Sequence, residues 1–287
     1  MPLIFVPTPL GNLRDITLRS VDVLREASLI VAEDSRVARR LLSALSIRGK
    51  QIWTYRQHNA SAATASIIER AENQTVAVVT DAGMPGISDP GSELVSAARK
   101  ALLPVEMLPG PCGFVCAAVL SGFGLRRFTF EGFPPRAGGA RRRALQSACE
   151  SGVTTVWYES PQRVIATLMD LASVAPDVRV FLLREFTKLH EQQLLGSPAQ
   201  VLQELSTPVR GEVMFVIEAG RRASPTATHA SVQSRIDALL AQAQPVAAIA
   251  KQLTEEGLGE RRALYTLAIQ RRRSRQDAEL EHETPRR

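Results

Sequence analysis

The stretch Thr75–Gly91 has the sequence TVAVVTDAGMPGISDPG and indicates how the first half of the chain folds. Its first five residues are apolar or β-branched, which predicts a buried strand, and the amphipathic run from Ser92 to Ala101 predicts a helix after it. The loop between them, Thr80 to Gly91, contains three Gly and two Pro in twelve residues. Because ligands of open α/β sheets bind at the carboxyl ends of the strands, this loop is the first candidate for a ligand site.

Strand and helix patterns alternate on both sides of this stretch through the first 120 residues. Such βα repetition with short connections predicts a mainly parallel sheet and places functional residues in the loops after the strands. The predicted strands are Leu3 to Thr8, Leu29 to Ala32, Gln51 to Tyr55, Thr75 to Val79 and Val105 to Leu108. The predicted helices are Thr17 to Ala27, Arg36 to Leu45, Ser61 to Ala71, Ser92 to Ala101 and Gly113 to Leu120.

The pattern changes after residue 122, where the elements are typical of a more antiparallel arrangement. Ser-Pro pairs predict helix starts, because Ser caps a helix and Pro suits its first position. The fold class is therefore α/β, with one α/β domain at 1–122 and a second at 123–220. The predicted strands of the second domain are Thr129 to Phe133, Thr154 to Tyr158, Arg179 to Glu185 and Glu212 to Glu218, and its predicted helices are Arg141 to Glu150 and those that begin at Ser160-Pro161 and Ser197-Pro198.

The pattern of the remaining residues predicts a linker at 221–231, a small helical domain at 232–275 and a disordered tail at 276–287. Three short helices are expected, at Val232 to Ala241, Pro245 to Glu256 and Glu260 to Arg272. The turn between the last two resembles a helix-turn-helix, and the last helix is rich in Arg, which favours nucleic-acid binding. A helical cap with a solvated basic face explains the same residues.

Composition excludes several classes of protein. The chain has 287 residues, a net charge of +6 and no apolar run of the roughly 20 residues that cross a bilayer. Its N-terminus shows no signal sequence, which predicts a cytoplasmic protein. The three cysteines lie in apolar surroundings, which predicts reduced, buried thiols. The basic balance is compatible with a polyanionic partner and equally with solubilising charge.

The sequence lacks the motifs of several common enzyme classes. The chain lacks GxGxxG after a strand, GxxxxGK[ST], GxSxG and HExxH, which disfavours Rossmann dinucleotide enzymes, P-loop NTPases, nucleophile-elbow hydrolases and zincins. The spacing of His and Cys supports no metal site. Two further Gly/Pro loops, Val6 to Asn12 and Pro109 to Gly113, follow predicted strands, so three rigid loops are expected to line one cleft.

Charged residues also follow predicted strands, in Glu33 to Arg36, Tyr158 to Arg163 and Arg184 to Glu191. They either orient a polar substrate or cap helices and pair with each other. Capping explains Ser35 and Ser160, but it does not explain Arg36, Arg163 or Lys188.

A series of motifs runs through the chain in one order: VPTPLGNLRDIT, EDSR, His58-Asn59, TDAGMPGISDPG, PGPCG, EGFPPR, YESPQR, REFTKLHE and GEVMFVIE. On these motifs, nearly the whole chain resembles the bacterial 16S ribosomal RNA (cytidine-2′-O)-methyltransferases, a branch of the tetrapyrrole methylase superfamily. The C-terminal helices resemble the extra domain of this branch. Ser35 stands where Thr is common and Gly113 where Ala is common.

The resemblance implies that S-adenosylmethionine is the cofactor and that it binds in the cleft between two α/β domains of the tetrapyrrole methylase type. It also implies a homodimer, and 16S rRNA as the partner, in the small ribosomal subunit. No metal is needed, because a sulfonium donor carries its own leaving group. The cofactor contacts that it implies are Pro9, Leu10, Asp81, Gly83, Met84, Ile87, Ser88, Cys112, Gly113, Tyr158, Glu212, Val213 and Met214.

Transfer to a ribose 2′-OH is helped by a positioned base, for which the candidates are Asp34, Asp81 and Glu159. Arg36, Arg163 and Lys188 are expected to hold flanking phosphates. The residues expected to grip surrounding RNA are Arg136, Arg141, Arg163, Arg261 and Arg262. The alternatives are methylation of a small tetrapyrrole and a non-catalytic, ribosome-associated RNA binder.

Overall fold

The computed structural model describes residues 2–56, 60–89, 91–219, 229–256 and 258–283. His58 and Asn59, part of one motif, lie outside these ranges. The chain divides into two compact units, Met1–Gly220 and Arg221–Arg287. The larger unit contains two five-stranded sheets. The domain boundary that the sequence predicted at residue 122 falls inside this unit and stays a prediction.

The first sheet is parallel throughout and has the strand order β3-β2-β4-β1-β5. The mainly parallel sheet expected from βα alternation is thus confirmed. β4 is the strand of the opening stretch, and it lies at the centre with all of its residues buried. The strands are β1 (Leu3–Phe5), β2 (Leu29–Ala32), β3 (Gln51–Thr54), β4 (Val76–Val79) and β5 (Val105–Met107).

Four helices cover the two faces of this sheet. Side chains alternate along β1, so that Leu3 and Phe5 pack toward α3 and α4 while Ile4 packs toward α1 and α2. The side chains of Thr17 and Asp34 cap α1 and α2 by accepting backbone N–H groups. The helices are α1 (Leu18–Glu26), α2 (Ser35–Ala44), α3 (Ala60–Asn73) and α4 (Ser92–Lys100).

The second sheet has the order β6-β7-β10-β8-β9 and is mostly antiparallel, as the sequence predicted. Only the β6–β7 pair is parallel, and a bulge interrupts it between Phe130 and Gly132. The sequence missed β9, a half-exposed edge strand that has only two apolar side chains, Leu194 and Leu195. The strands are β6 (Phe128–Gly132), β7 (Thr154–Glu159), β8 (Val180–Arg184), β9 (Gln192–Gly196) and β10 (Val213–Ile217).

Helix α5 follows β5 in sequence but packs against the second sheet, where Ala117 and Ala118 belong to one apolar cluster with Val156 and Val216. The other face of this sheet is covered by α6, α7 and α8, around Leu145, Leu168 and Val201. The loops that carry α5 therefore cross from one sheet to the other. These helices are α5 (Gly113–Leu120), α6 (Gly138–Glu150), α7 (Val164–Val174) and α8 (Pro198–Glu204).

The smaller unit contains α9 (His229–Ala241), α10 (Val246–Glu255) and α11 (Arg261–Glu283) around their own apolar core. The predicted linker falls mostly on residues outside the described ranges, and α9 begins within its last three positions. The prediction of a disordered tail from residue 276 is wrong as far as residue 283, because α11 continues there. Good helix formers and the absence of Gly and Pro explain the longer helix. Residues 284–287 lie outside the described ranges.

Within the described residues, no helix is long and apolar enough to span a membrane, and no group of three or more His, Cys, Asp or Glu could hold a metal ion. Cys112, Cys116 and Cys149 are free thiols, as expected, but they are half-buried rather than buried. Burial raises the pKa of the Cys149 thiol to about 11, so this thiol stays protonated at neutral pH.

Candidate functional site: a cleft between two sheets

The three Gly/Pro loops meet at one edge of the first sheet because β4, β1 and β5 are neighbours. Thr8 and Gly83 form an antiparallel bridge, with both N–O distances at 3.0 Å. The Thr8 hydroxyl also donates to the Thr80 carbonyl at 3.1 Å. A Cβ on Gly110 would lie 2.6 Å from Pro7 Cβ, so the third loop packs tightly on the first. The loops thus form the continuous wall that the sequence predicted.

A cleft of about 340 Å³ lies between this wall and the second sheet. Eleven of the thirteen residues that the resemblance assigned to the cofactor line it, and the exceptions are Pro9 and Asp81. Sequence reasoning passed over Asp89, Phe133, Ser160, Pro161, Phe186 and Gly211 as contacts, and it assigned Glu159 to another role. The lining consists of Leu10, Ala82, Gly83, Met84, Ile87, Ser88, Asp89, Cys112, Gly113, Phe133, Tyr158, Glu159, Ser160, Pro161, Phe186, Gly211, Glu212, Val213 and Met214.

The charge of the lining is one-sided. It contains three carboxylates, Asp89, Glu159 and Glu212, and none of the described lining residues is Lys, Arg or His. Glu159 is neutralised by Arg163, at 3.2 Å. Burial is the main cause that raises the pKa of both Asp89 and Glu212. The cleft therefore suits a cationic ligand and disfavours a phosphate-rich one.

Close backbone approach shapes the cleft at Gly113 and Gly211. A Cβ on Gly113 would lie 2.9 Å from Met214 Sδ and 3.7 Å from the Tyr158 hydroxyl, so both sheets come together there. An Ala at this position is accommodated if the flexible Met214 tail shifts. At Gly211, whose φ is +77°, a Cβ would overlap the Glu185 carboxylate. Burial strongly raises the pKa of Tyr158, which stays neutral.

Residues 2–202 match the family described as Tetrapyrrole (Corrin/Porphyrin) Methylases. The chain belongs to the tetrapyrrole methylase family. The diphthine synthase crystal structure has the same fold, with a TM-score of 0.59 at 14% identity, and covers 76% of this chain and 90% of its own. The chain is an S-adenosylmethionine-dependent methyltransferase. The cleft fits this donor, whose sulfonium and ammonium groups outweigh its single carboxylate, because its only described charges are acidic.

The curated relatives include proteins named ribosomal RNA small subunit methyltransferase I. The one from Synechocystis sp. is 36% identical over 93% of this chain and 97% of its own length. Those from Hydrogenobaculum sp. and Thermotoga maritima are 38% and 40% identical, over 76% and 75% of this chain. These two are matched over 95% and 97% of their own lengths. About a quarter of this chain therefore has no counterpart in them.

Asp34 and Arg36, predicted as catalytic, form a cluster outside the cleft lining of this methyltransferase. Asp34 caps α2, pairs with Arg36 at 2.6 Å and lies 3.4 Å from Arg56. The hydrogen bonds from Arg36 hold the pKa of Asp34 far below its usual range. Asp81 accepts the Asp34 backbone N–H at 3.2 Å, and partial burial raises the pKa of Asp81. Asp34 is therefore a poor proton acceptor, whereas Asp81 is a better one that lies beside the lining.

Glu159 lines the cleft, but its carboxylate is fully engaged. Oε1 accepts the Ser160 backbone N–H at 2.8 Å, and Oε2 accepts the Thr167 hydroxyl at 2.6 Å and Arg163 Nη2 at 3.2 Å. Arg163 Nη2 also donates to the Pro134 carbonyl at 2.6 Å. The geometry thus favours positioning over proton transfer for Glu159, and Arg163 is engaged by protein groups.

Lys188 bridges the two halves of the larger unit. Its Nζ pairs with Glu185 at 2.9 Å, and its side chain packs so closely on Gly11 that a Cβ there would overlap it. The Thr187 hydroxyl accepts the Asn12 N–H at 3.1 Å. Lys188 lies near enough to Glu212 to lower its pKa, against the effect of burial. This loop therefore fixes the first Gly/Pro loop above the cleft.

The predicted RNA contacts divide into exposed and buried arginines. Arg136, Arg261 and Arg262 are exposed. The prediction for Arg141 is wrong, because its side chain is only 10% exposed and pairs with Asp170 at 2.7 Å. Its guanidinium is used to join α6 to α7 and leaves little surface for a nucleic acid.

Proposed function

We propose that this enzyme transfers a methyl group from S-adenosylmethionine to the ribose 2′-OH of a cytidine in 16S rRNA of the small ribosomal subunit. The names of relatives that match most of the chain support the rRNA substrate. The single structural observation that carries the chemistry is the acidic cleft, whose described lining has no cation. The choice of cytidine and of the 2′-OH rests on the motifs of the sequence.

The reaction forms an O–CH₃ bond as an S–CH₃ bond breaks, and the hydroxyl proton leaves. A bound donor supplies the activated methyl group. The residues of the chain contribute position and charge: the Gly/Pro loops fix the donor site, and Asp89 and Glu212 stabilise positive charge. The Thr80 hydroxyl donates to Asp89 at 2.5 Å, which orients that carboxylate toward its place in the lining.

The proton acceptor is assigned to Asp89 or Glu212 because both carboxylates line the cleft and have raised pKa values. Among the earlier candidates, Glu159 and Asp34 are engaged by Arg side chains, and Asp81 does not line the cleft. Single-turnover methylation with saturating donor distinguishes a role in proton transfer from a role in donor binding. A substitution that removes the acceptor, D89N or E212Q, should slow the chemical step about 10²- to 10⁴-fold. Wild-type rates in both variants would remove this assignment.

The C-terminal unit is proposed to grip the RNA around the target. Two relatives are matched over only about three quarters of this chain, and the smaller unit, 221–287, has about the length of the remaining quarter, which supports a role for this unit apart from the chemistry. Arg261 and Arg262 are exposed at the start of α11, beside an open groove of the same unit. Replacing both with Ala should weaken RNA binding and flatten its salt dependence by about one to two in log–log slope. Lys251→Ala, on α10, is the charge-matched control for each of the single variants Arg261→Ala and Arg262→Ala.

A homodimer is part of the same proposal. Exposed apolar side chains on the larger unit support it, including Val115 and Val119 on α5 and Met107 on the edge strand β5. Light scattering should give twice the monomer mass of 31.3 kDa. A monomer at micromolar concentration would contradict the dimer without affecting the reaction.

The reaction is tested with labelled S-adenosylmethionine and two substrates, naked 16S rRNA and assembled small subunits. After digestion, mass spectrometry of the nucleosides should detect labelled 2′-O-methylcytidine. A label on a base, or on another nucleoside, would correct the specificity and keep RNA methylation. Unmodified RNA would refute the proposal, and label transfer to an added tetrapyrrole would favour that alternative.

A further inference from the structure

A second pocket adjoins the donor cleft. It has a volume of about 540 Å³ and is lined by Phe133, Pro134, Pro135, Arg136, Ser160 and Arg163, which we call the acceptor pocket. Phe133 and Ser160 line both the acceptor pocket and the donor cleft. Molecules that occupy the two sites would therefore lie next to each other.

Phe133 presents an aromatic ring at this junction. It is 53% exposed, although one side of its ring contacts Tyr158 with centroids 5.7 Å apart. Tyr158 in turn packs edge-on against Phe130, at 5.1 Å, which anchors the group to β6. The bulge at the end of β6 and the left-handed Gly132, with φ +68°, direct the chain so that Phe133 leaves the sheet. An anchored but exposed ring of this kind is a stacking platform.

The rim of the acceptor pocket is rigid and basic. Arg163 Nη2 donates hydrogen bonds to the carbonyls of Pro134 and Pro135, at 2.6 and 3.4 Å. The Arg163 Nε–H is buried and has no hydrogen-bond partner among the described residues. The Arg136 side chain is exposed, while Arg141 Nη1 donates to its carbonyl at 3.4 Å. A positive rim thus adjoins a cleft whose described charges are acidic.

We propose that the acceptor pocket holds the base of the nucleotide that is methylated, unstacked from its RNA and stacked on Phe133, with Arg136 on an adjacent phosphate. This inference rests on the proposed function. RNA-binding proteins commonly recognise unpaired bases that stack on aromatic side chains, and phosphates that contact Arg. The shared Phe133 and Ser160 place the ribose of such a nucleotide between its base and the donor cleft.

The test measures kcat/KM for RNA and, separately, the Kd for S-adenosylmethionine. Phe133→Ala should lower kcat/KM about 5- to 150-fold, the range seen for the loss of one base–aromatic stack. Phe133→Tyr should restore most of it, and the loss in kcat/KM should exceed any weakening of the donor Kd, because Phe133 lies where the two sites meet. Met169→Ala, which removes an exposed apolar side chain on α7, is the control and should match the wild type.

A double-mutant cycle identifies the stacked base. The RNA carries an abasic ribose either at the nucleotide that the wild type methylates or at one of its two neighbours. The effect of Phe133→Ala should fall below about twofold only when the methylated nucleotide is abasic. Loss of the effect with an abasic neighbour would show that Phe133 holds a flanking base, and would overturn the assignment. An effect confined to the donor Kd would also overturn it, whereas a wild type that methylates no RNA would refute the proposed function itself.

Discussion

Gly83→Ala tests whether the opening loop forms the donor site. Gly83 has a φ of +80°, and a Cβ there would lie 3.0 Å from Leu10 Cδ2, so Leu10 must move to admit the methyl group. Both residues line the cleft, and the backbone of Gly83 is bridged to Thr8. Gly49 is a matched control, because its φ is +72° and nothing lies within 4 Å of its Cβ position. It precedes β3, at the opposite edge of the first sheet.

The expected magnitudes follow from these two environments. A left-handed Ala costs about 1–2 kcal/mol, so both variants should lose that much free energy of unfolding. In a unit of this size, each kcal/mol lowers the Tm by about 2–4 °C. Only Gly83→Ala adds overpacking at the cleft, which costs about 1–3 kcal/mol. We assign about 1.4 kcal/mol of this cost to donor binding, which corresponds to a tenfold weaker Kd for the donor.

Thermal unfolding and calorimetric titration with S-adenosylmethionine measure the two effects separately. We expect a larger Tm loss in Gly83→Ala than in Gly49→Ala, because overpacking adds to the left-handed cost that both variants share. The donor Kd should be about tenfold weaker in Gly83→Ala alone, the equivalent of about 1.4 kcal/mol. Equal donor affinity in Gly83→Ala and the wild type would refute the reasoning. Equal weakening in both variants would attribute the effect to general strain.

Three further predictions follow from the buried charges. Arg141→Gln should lower the free energy of unfolding by about 3 kcal/mol. This value is at the low end for a broken buried pair, because Arg142 still pairs with Asp170. The same variant should leave the salt dependence of RNA binding unchanged. Because burial raises the pKa of Glu212, donor affinity should fall as the pH drops through a range that begins above the ordinary 4.5, and Glu212→Gln should flatten this dependence. The free energy of unfolding of the free enzyme should change the opposite way and rise as the pH falls through that range, because the folded state binds the proton more tightly than the unfolded chain. Gly211→Ala should lower both the Tm and donor affinity, since its Cβ displaces the carboxylate that pairs with Lys188.

The first wall of the cleft was predictable from sequence because local signals determine it. Short apolar runs marked β1, β4 and β5, and parallel strands bring the loops that follow them to one edge. The second wall depends on antiparallel pairing over long sequence separations, as between β7 and β10, which local patterns do not specify. Phe133, Phe186 and Gly211 lie on that wall or beside it. Their motifs were noticed, but nothing local indicated which members face the cleft.

The sequence did contain a signal that Arg141 is buried. The buried residues of α6 are Arg141, Leu145 and Ala148, at the helical spacing i, i+4, i+7. Since this spacing places all three on one face, Arg141 lies on the apolar side of its helix, and its neighbours Arg142 and Arg143 are exposed. The positive charge of Arg141 alone suggested an RNA contact, whereas its position on the apolar face of the helix indicates a buried partner. That partner, Asp170, is 29 residues away and was not identifiable from local sequence.

The most direct test of the donor site is a crystal structure with S-adenosylhomocysteine, the demethylated product of the donor. The acidic cleft between the two sheets predicts that the ligand binds there, in contact with the Gly83 loop, Gly113 and Met214. Density for the ligand elsewhere on the chain, or an empty cleft at saturating ligand, would contradict the assignment of this cleft as the site of methyl transfer.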